Sequence, residues 1–90
     1  MRALRFGGAF RKDLKRITKR GYDRARLDSI TDALRQGTPL PAAVRAHPLK
    51  GEWMGYWECH VAPDWLLIYK SSAAELFLAR TGTHADLFKL

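Results

Sequence analysis

The spacing of apolar residues changes at Pro39 and Pro41. Before these prolines, apolar residues recur every three or four positions, which is the spacing of a helix with one buried face. After them, strand-forming aromatic and branched residues follow a period of two. Helices followed by consecutive strands indicate an α+β fold. The 90 residues are enough for one domain, which we expect to span residues 1–90.

Two helices are predicted in the first half of the chain, after a short strand over residues 2–6. The first helix ends at Gly21, and the second begins at Asp23 as its N-cap and ends at Gly37. We expect the two helices to form a hairpin that packs on a sheet. Their apolar faces consist of Phe10, Leu14 and Ile17 in the first helix and of Leu27, Ile30 and Leu34 in the second.

The second half of the chain is predicted to form three strands and a terminal helical turn. Short turns separate the strands, which indicates an antiparallel meander. The strands are expected at residues 52–61 (with a turn at Met54 and Gly55), 65–70 and 75–80, and the helical turn at residues 84–90. We expect the core to contain Trp53, Trp57, Cys59, Leu66, Ile68, Leu76 and Leu78. The predicted fold is thus a small antiparallel meander with an N-terminal strand and a helical hairpin.

The direction of these strands brings four chemically active residues together. A meander reverses at each turn, so His60 and Asp64 lie at one end of the sheet, and the last strand delivers His84 to that end. The segment before the first turn starts there too, with His47 just before it. The sequence therefore predicts one cluster of His47, His60, Asp64 and His84.

Each member of the cluster also has a structural interpretation. A histidine at a strand end is often only hydrogen-bonded, and Asp64 after Pro63 is a common turn residue. The three histidines and the aspartate are residue types that zinc accepts, but they lack the close spacing of known zinc motifs, so we expect no metal. We expect no cofactor. Cys59 alternates to the opposite strand face from His60 and is expected to pack in the core.

The charge is strongly basic and unevenly distributed. The net charge is +7, and residues 1–50 carry 13 Lys and Arg against 4 Asp, which gives +9. This excess indicates a polyanionic partner. One cysteine excludes an internal disulfide, and the sequence shows no signal peptide or membrane span. We therefore expect a cytoplasmic protein that does not associate with membranes.

Cleavage of RNA by its own 2′-hydroxyl suits such a cluster. A base removes the 2′-hydroxyl proton, an acid protonates the departing 5′-oxygen, and a cation stabilises the charge on phosphorus. Histidines supply these groups without a metal because imidazole titrates near neutral pH. The residues alone favour a metal-independent ribonuclease only slightly over a nucleic-acid-binding domain.

Several segments together resemble one family along nearly the whole chain. The chain is similar to the YafQ-type toxins of the RelE/ParE superfamily, and the combination of residues 59–65 (CHVAPDW) with residues 81–88 (TGTHADLF) is specific. The other matching segments are residues 10–16, 20–23, 47–51 and 66–69.

The resemblance implies a toxin of a type II toxin–antitoxin pair that cleaves mRNA on the translating ribosome and is silenced by a cognate antitoxin. It implies functional roles for His47, His60, Asp64, Trp65, His84 and Phe88. We expect His84 and His47 to form the acid–base pair and His60 and Asp64 to orient groups or polarise the phosphate. RNA binding is assigned to Trp65, Phe88 and Lys50. Two alternatives remain open: a ParE-like toxin that inhibits gyrase and a non-catalytic module that binds RNA or the ribosome.

Overall fold

The computed structural model describes residues 1–88 and contains a five-stranded sheet with three helices. The strand order is β1-β5-β4-β3-β2, with β1 parallel to β5 and the remaining neighbours antiparallel. The predicted α+β fold is confirmed. The elements are β1 (Ala3–Phe6), α1 (Gly8–Lys19), α2 (Arg24–Gln36), β2 (His47–Pro48), β3 (Trp57–Ala62), β4 (Trp65–Ser71), β5 (Glu75–Gly82) and α3 (His84–Phe88), with 3₁₀ turns at Ala42–Val44 and Gly51–Trp53.

Both helices of the hairpin end where their capping residues predict. After α1, Gly21 takes a left-handed conformation with φ of 80°, and the amide of Tyr22 donates to the carbonyl of Ile17 at 3.1 Å. At the start of α2, the side chain of Asp23 accepts a hydrogen bond from the amide of Ala25 at 3.0 Å. Gly37 ends α2 with φ of 72°. Local sequence therefore determines both helices.

The sheet has two apolar layers, one on each face. The hairpin covers one face, and its buried cluster includes Phe10 and Ile17 of α1 and Leu27 of α2. On the other face, Leu87 of α3 packs with Leu66 and other residues of β4 and β5. Helix α3 confirms the predicted terminal turn up to residue 88, and residues 89 and 90 lie outside the described residues. No helix within residues 1–88 has the length and hydropathy of a membrane-crossing segment.

Cys59 occupies the core position predicted for it. Its side chain is fully buried, and burial raises the pKa of the thiol to about 12. A thiol that stays neutral and inaccessible contributes to packing rather than to chemistry.

The predicted strand over residues 52–61 is wrong in its first half. Residues Gly51–Trp53 form a 3₁₀ turn, and the strand begins only at Trp57. The predicted turn at Met54 and Gly55 is confirmed, and Gly55 has φ of 91° there. The antiparallel partner of β3 is instead His47–Pro48.

The predicted core position is wrong for Trp57, whereas Trp53 is partly buried and packs against the core cluster that contains Leu66. Trp57 lies opposite Pro48 of the two-residue β2, at the start of β3, and 41% of its surface is exposed. Trp53 is half-buried and packs edge-on against Tyr56, with ring centroids 5.3 Å apart. Leu66, Ile68, Leu76 and Leu78 are buried as predicted.

Candidate active site

The four residues of the predicted cluster lie together, which confirms their convergence. His84 Nδ1 is 2.8 Å from Asp64 Oδ1, and the His84 ring centroid is 6.3 Å from that of His60. Possible ligand atoms of His47, Glu58 and His60 all lie within 4.8 Å of one another. The site therefore extends from β2 through β3 to the turn after β5.

Sheet pairing brings His47 to this site. His47 is opposite Glu58 in the β2–β3 ladder, and His60 follows Glu58 by two residues on the same face of β3. Glu58 is a member of the site that the sequence prediction missed. Its signal was the period of two, because a glutamate two residues before a site histidine in a strand points to the same side.

Asp64 holds His84 by two hydrogen bonds. Its Oδ1 accepts from the backbone amide of His84 at 3.2 Å and contacts Nδ1 of the ring at 2.8 Å. The side-chain bond to His84, followed by the backbone bond, lowers the pKa of the Asp64 carboxyl below its ordinary value. An ionised carboxylate only accepts, so Nδ1 carries the hydrogen and Nε2 is left for a substrate.

A second carboxylate fixes the turn that carries His84. Asp86 accepts from the amide of Thr83 at 3.0 Å, and the Thr83 hydroxyl accepts from the amide of Asp86 at 3.1 Å, which is a reciprocal capping arrangement. Arg20, the residue that caps the end of α1, binds Asp86 with two contacts, at 2.6 and 3.1 Å, and this bond keeps the pKa of Asp86 well below its ordinary value. Helix α1 thereby positions the turn.

Gly82 allows this turn to close against Asp86. Its φ is 151°, and a Cβ built on it would lie 2.9 Å from Oδ2 of Asp86. A larger residue would therefore displace the capping carboxylate. A glycine at position 82 is therefore a steric requirement of the turn that presents His84.

His47 and His60 differ in their partners. His47 Nε2 lies 3.2 Å from Oε1 of the buried Glu58, and its Nδ1 lies 3.3 Å from the carbonyl oxygen of Pro48. Both partners are acceptors. His60 is half-buried and makes no side-chain hydrogen bond to any other residue of the 1–88 segment. The ring nitrogens of His60 are therefore available to a ligand.

The trio of His47, Glu58 and His60 could hold a metal ion. Two imidazoles and a carboxylate are ligands that zinc and copper accept, and their atoms are close enough to share one ion. The sequence spacing gave no sign of this trio, and the expectation that the chain uses no metal stays a prediction. Strand pairing joins two ligands that are 11 positions apart along the chain, counted from His47 to Glu58.

Two of the three predicted RNA-binding residues line one pocket. Lys50 and Phe88 border a pocket of about 740 Å³ together with Trp53 and Tyr56. The Phe88 ring centroid is 6.4 Å from that of His84, so this pocket adjoins the histidines.

Trp65 does not have the exposure that was predicted for it. It is 4% exposed, and its Nε1 donates to the hydroxyl of Thr81 at 2.9 Å within the core. Its ring packs edge-on against Tyr22 at 5.0 Å between centroids. The fold uses Trp65 to join β4 to β5, so it offers no open face for a base.

Comparisons with known proteins agree in both sequence and fold. A family model described as a bacterial toxin of type II toxin–antitoxin systems, YafQ, matches residues 2–89. The chain is 46% identical over 88 residues to the mRNA interferase toxin YafQ of Escherichia coli K12, covering 97% of this chain and 96% of that one.

Two solved structures extend this similarity. The toxin in the crystal structure of the E. coli DinJ–YafQ toxin–antitoxin complex has a TM-score of 0.89 and 44% identity, with 97% of both chains covered. A metal-bound toxin from Helicobacter pylori has a TM-score of 0.92 and 38% identity, with 98% of this chain and all of that chain (100%) covered.

Proposed function

The chain belongs to the YafQ family of type II toxins and is an mRNA interferase, which is an endoribonuclease. We propose how its histidines cleave RNA. The proposed substrate is mRNA on the translating ribosome, and the proposed compartment is the cytoplasm. The observation that carries the proposal is the contact of His84 with Asp64 beside two further histidines.

The proposed reaction is transfer of the phosphoryl group to the adjacent 2′-oxygen. The 2′-oxygen forms a new bond to phosphorus, and the bond from phosphorus to the 5′-oxygen breaks. The 2′-hydroxyl proton goes to a base, and His84 Nε2 donates a proton to the 5′-oxygen. Asp64 supports this role because it orients the ring through Nδ1.

Two contacts support His60 rather than His47 as the base. Both ring nitrogens of His47 already lie near protein oxygens, Nε2 near Oε1 of Glu58 at 3.2 Å and Nδ1 near the carbonyl oxygen of Pro48 at 3.3 Å, so neither nitrogen is open to a substrate hydroxyl. His60 has no such contact and lies nearer the middle of the cluster. We therefore assign His47, oriented by Glu58, to binding the phosphate oxygens.

The pocket bordered by Phe88 is proposed to bind a base of the RNA. Three aromatic side chains, Trp53, Tyr56 and Phe88, line it, and Lys50 adds a positive charge. Aromatic rings of this kind stack on bases without selecting a sequence strongly. Trp65 is assigned instead to holding the strands that carry the site.

The two alternatives have less support than mRNA cleavage. Inhibition of gyrase requires no acid–base cluster, and the E. coli relative that is 46% identical to this chain is named an mRNA interferase. A purely binding module would not explain why a carboxylate orients each of two histidines.

We expect the cleavage products to identify the metal-free mechanism. The upstream product should end in a 2′,3′-cyclic phosphate or a 3′-phosphate, and EDTA should not lower the single-turnover rate on naked RNA. Added Zn²⁺ or Cu²⁺ should inhibit, because an ion on His47, Glu58 and His60 would occupy the proposed base. Mass spectrometry identifies the ends of the products, and single-turnover rates measured with EDTA, Zn²⁺ or Cu²⁺ show the effect of each additive.

Ribosome dependence needs a separate comparison. The same mRNA is tested with and without translating ribosomes at constant Mg²⁺, since chelation would dissociate the ribosomes, and a supercoiling assay tests gyrase inhibition. A product that ends in a 3′-hydroxyl, or a rate abolished by EDTA on naked RNA, would contradict the metal-free mechanism.

We further propose that an antitoxin protein with an acidic segment binds this chain, as DinJ binds the E. coli relative. The +9 charge of residues 1–50 would steer that segment. The association rate should fall at least about tenfold as the salt rises from about 50 mM to about 500 mM. Stopped-flow mixing with the product of the adjacent gene measures it.

The source of this salt dependence can be tested on α1. Lys12, Lys15 and Lys19 are exposed, and changing all three to Gln should flatten the salt dependence. The wild-type chain sets the reference curve. An association rate that stays constant across the salt range would refute electrostatic steering.

A further inference from the structure

A second pocket lies beside His60 and shares no lining residue with the aromatic pocket. It has a volume of about 450 Å³ and lies between the start of α2 and the segment that leads into β2. Its charged lining residues are Arg26 and Arg45, and it shares the ring of His60 with the site. None of the functions assigned above uses this pocket.

The two arginines have no acidic partner. Several other arginines are paired, for example Arg24 with Asp28 at 3.8 Å and Arg20 with Asp86 at 2.6 Å. In the described part of the chain, no carboxylate oxygen lies within 4.0 Å of a side-chain nitrogen of Arg26 or Arg45. Both side chains are exposed, so their guanidinium groups are accessible to an anion from solvent. A guanidinium matches the geometry of a phosphate in particular.

The backbone at Arg45 also indicates a function. Arg45 has φ of 50°, and it is the one non-glycine residue with positive φ among residues 1–88. This conformation is unfavourable for a residue with a Cβ and is enriched at ligand sites. The preceding Val44 is buried and anchors the 3₁₀ turn, so the turn holds the arginine in place. Glycine would satisfy the backbone here, but it would not supply a charge.

We propose that Arg26 and Arg45 bind a backbone phosphate of the RNA, adjacent to the phosphate that is cleaved. The inference rests on the proposed function, because it places the scissile phosphate at the histidines. The Phe88, His84 and His60 rings follow one another at 6.4 and 6.3 Å, and His60 borders the arginine pocket. A single strand that stacks a base beside Phe88 and crosses the histidines would continue into the pocket that His60 shares with Arg26 and Arg45.

The test is binding of an RNA that cannot be cleaved. An oligoribonucleotide with 2′-fluoro groups throughout has no attacking hydroxyl, and its affinity is measured by fluorescence anisotropy over a range of salt. Arg26→Ala and Arg45→Ala should each weaken binding about tenfold, and the double variant should lower the slope of log Kd against log salt by about 0.7, the value for one phosphate on a single strand. Arg24→Ala, on the same helix but paired with Asp28, is the matched control and should change neither quantity appreciably.

Cleavage kinetics with unmodified RNA separate this inference from the proposed function. Both arginine variants should raise KM and leave kcat within about twofold, because neither guanidinium touches the reacting atoms. A wild-type chain that binds but does not cleave would refute the proposed function and leave the binding test valid. Arginine variants that bind like Arg24→Ala would refute the phosphate site. Variants that lose affinity for ribosomes but not for the oligonucleotide would refute it too, because the phosphate would then belong to ribosomal RNA.

Discussion

Replacing His84 with glutamine is expected to lower the single-turnover cleavage rate by roughly 100-fold or more, the scale of losing a positioned proton donor. A glutamine amide can still donate to Asp64 Oδ1, which His84 contacts at 2.8 Å, but it has no proton to transfer at neutral pH. The backbone bond from residue 84 to Asp64 is unaffected by the change. The fold and the affinity for RNA should therefore be preserved.

The measurement pairs the rate with the melting temperature on one purified variant. Asp64→Asn is the companion variant, because an amide keeps much of the shape while removing the charge that orients the imidazole. It should reduce the rate less than His84→Gln does. If His84→Gln lowers the melting temperature and leaves the rate per folded molecule nearly unchanged, His84 ties the terminal turn to the sheet and is not a catalytic residue.

Local signals predicted the elements of this fold well. The helix ends at Gly21 and Gly37 and the N-cap at Asp23 depend on a few neighbouring residues, and the structure agrees with all three. The meander of β3, β4 and β5 followed from short turns, and the convergence of the histidines followed from its reversals. The sequence therefore predicts the direction in which each strand runs, even where it does not predict the side-chain contacts between strands.

Features that depend on sheet neighbours were harder to predict. Trp57 is a residue type that usually lies in a core, but its burial depends on what lies beside β3. The neighbouring strand β2 has only two residues, and Trp57 stays exposed. Trp65 is buried because Thr81, 16 positions away, accepts its indole hydrogen. Glu58 joins His47 through strand pairing that has no local signal. Propensity and turn chemistry do not carry this information.

Replacing the buried Asp13 with alanine is expected to cause a large loss of stability. Asp13 is 1% exposed and accepts from Arg80 Nε at 2.6 Å, from Arg80 Nη2 at 3.1 Å and from the amide of Thr81 at 3.1 Å. Alanine would leave the partly buried guanidinium and the buried amide without a partner. Breaking such a pair costs about 3–5 kcal/mol, which at about 4–8 °C per kcal/mol lowers the melting temperature by about 12 °C or more.

Asp28→Ala is the matched control, because this exposed carboxylate lies 3.8 Å from Arg24 and its removal should cost less than about 1 kcal/mol. If Asp13→Ala does not fold, the double variant Asp13→Leu with Arg80→Met removes both charges, so that only the buried amide of Thr81 loses its partner, and it should melt above Asp13→Ala and below the wild type. Equal melting temperatures for Asp13→Ala and Asp28→Ala would refute the anchoring role.

Because Asp13 binds the amide of Thr81 just before the turn that carries His84, folded Asp13→Asn should also cleave more slowly per molecule, which links the buried ion pair to the presentation of the proposed acid.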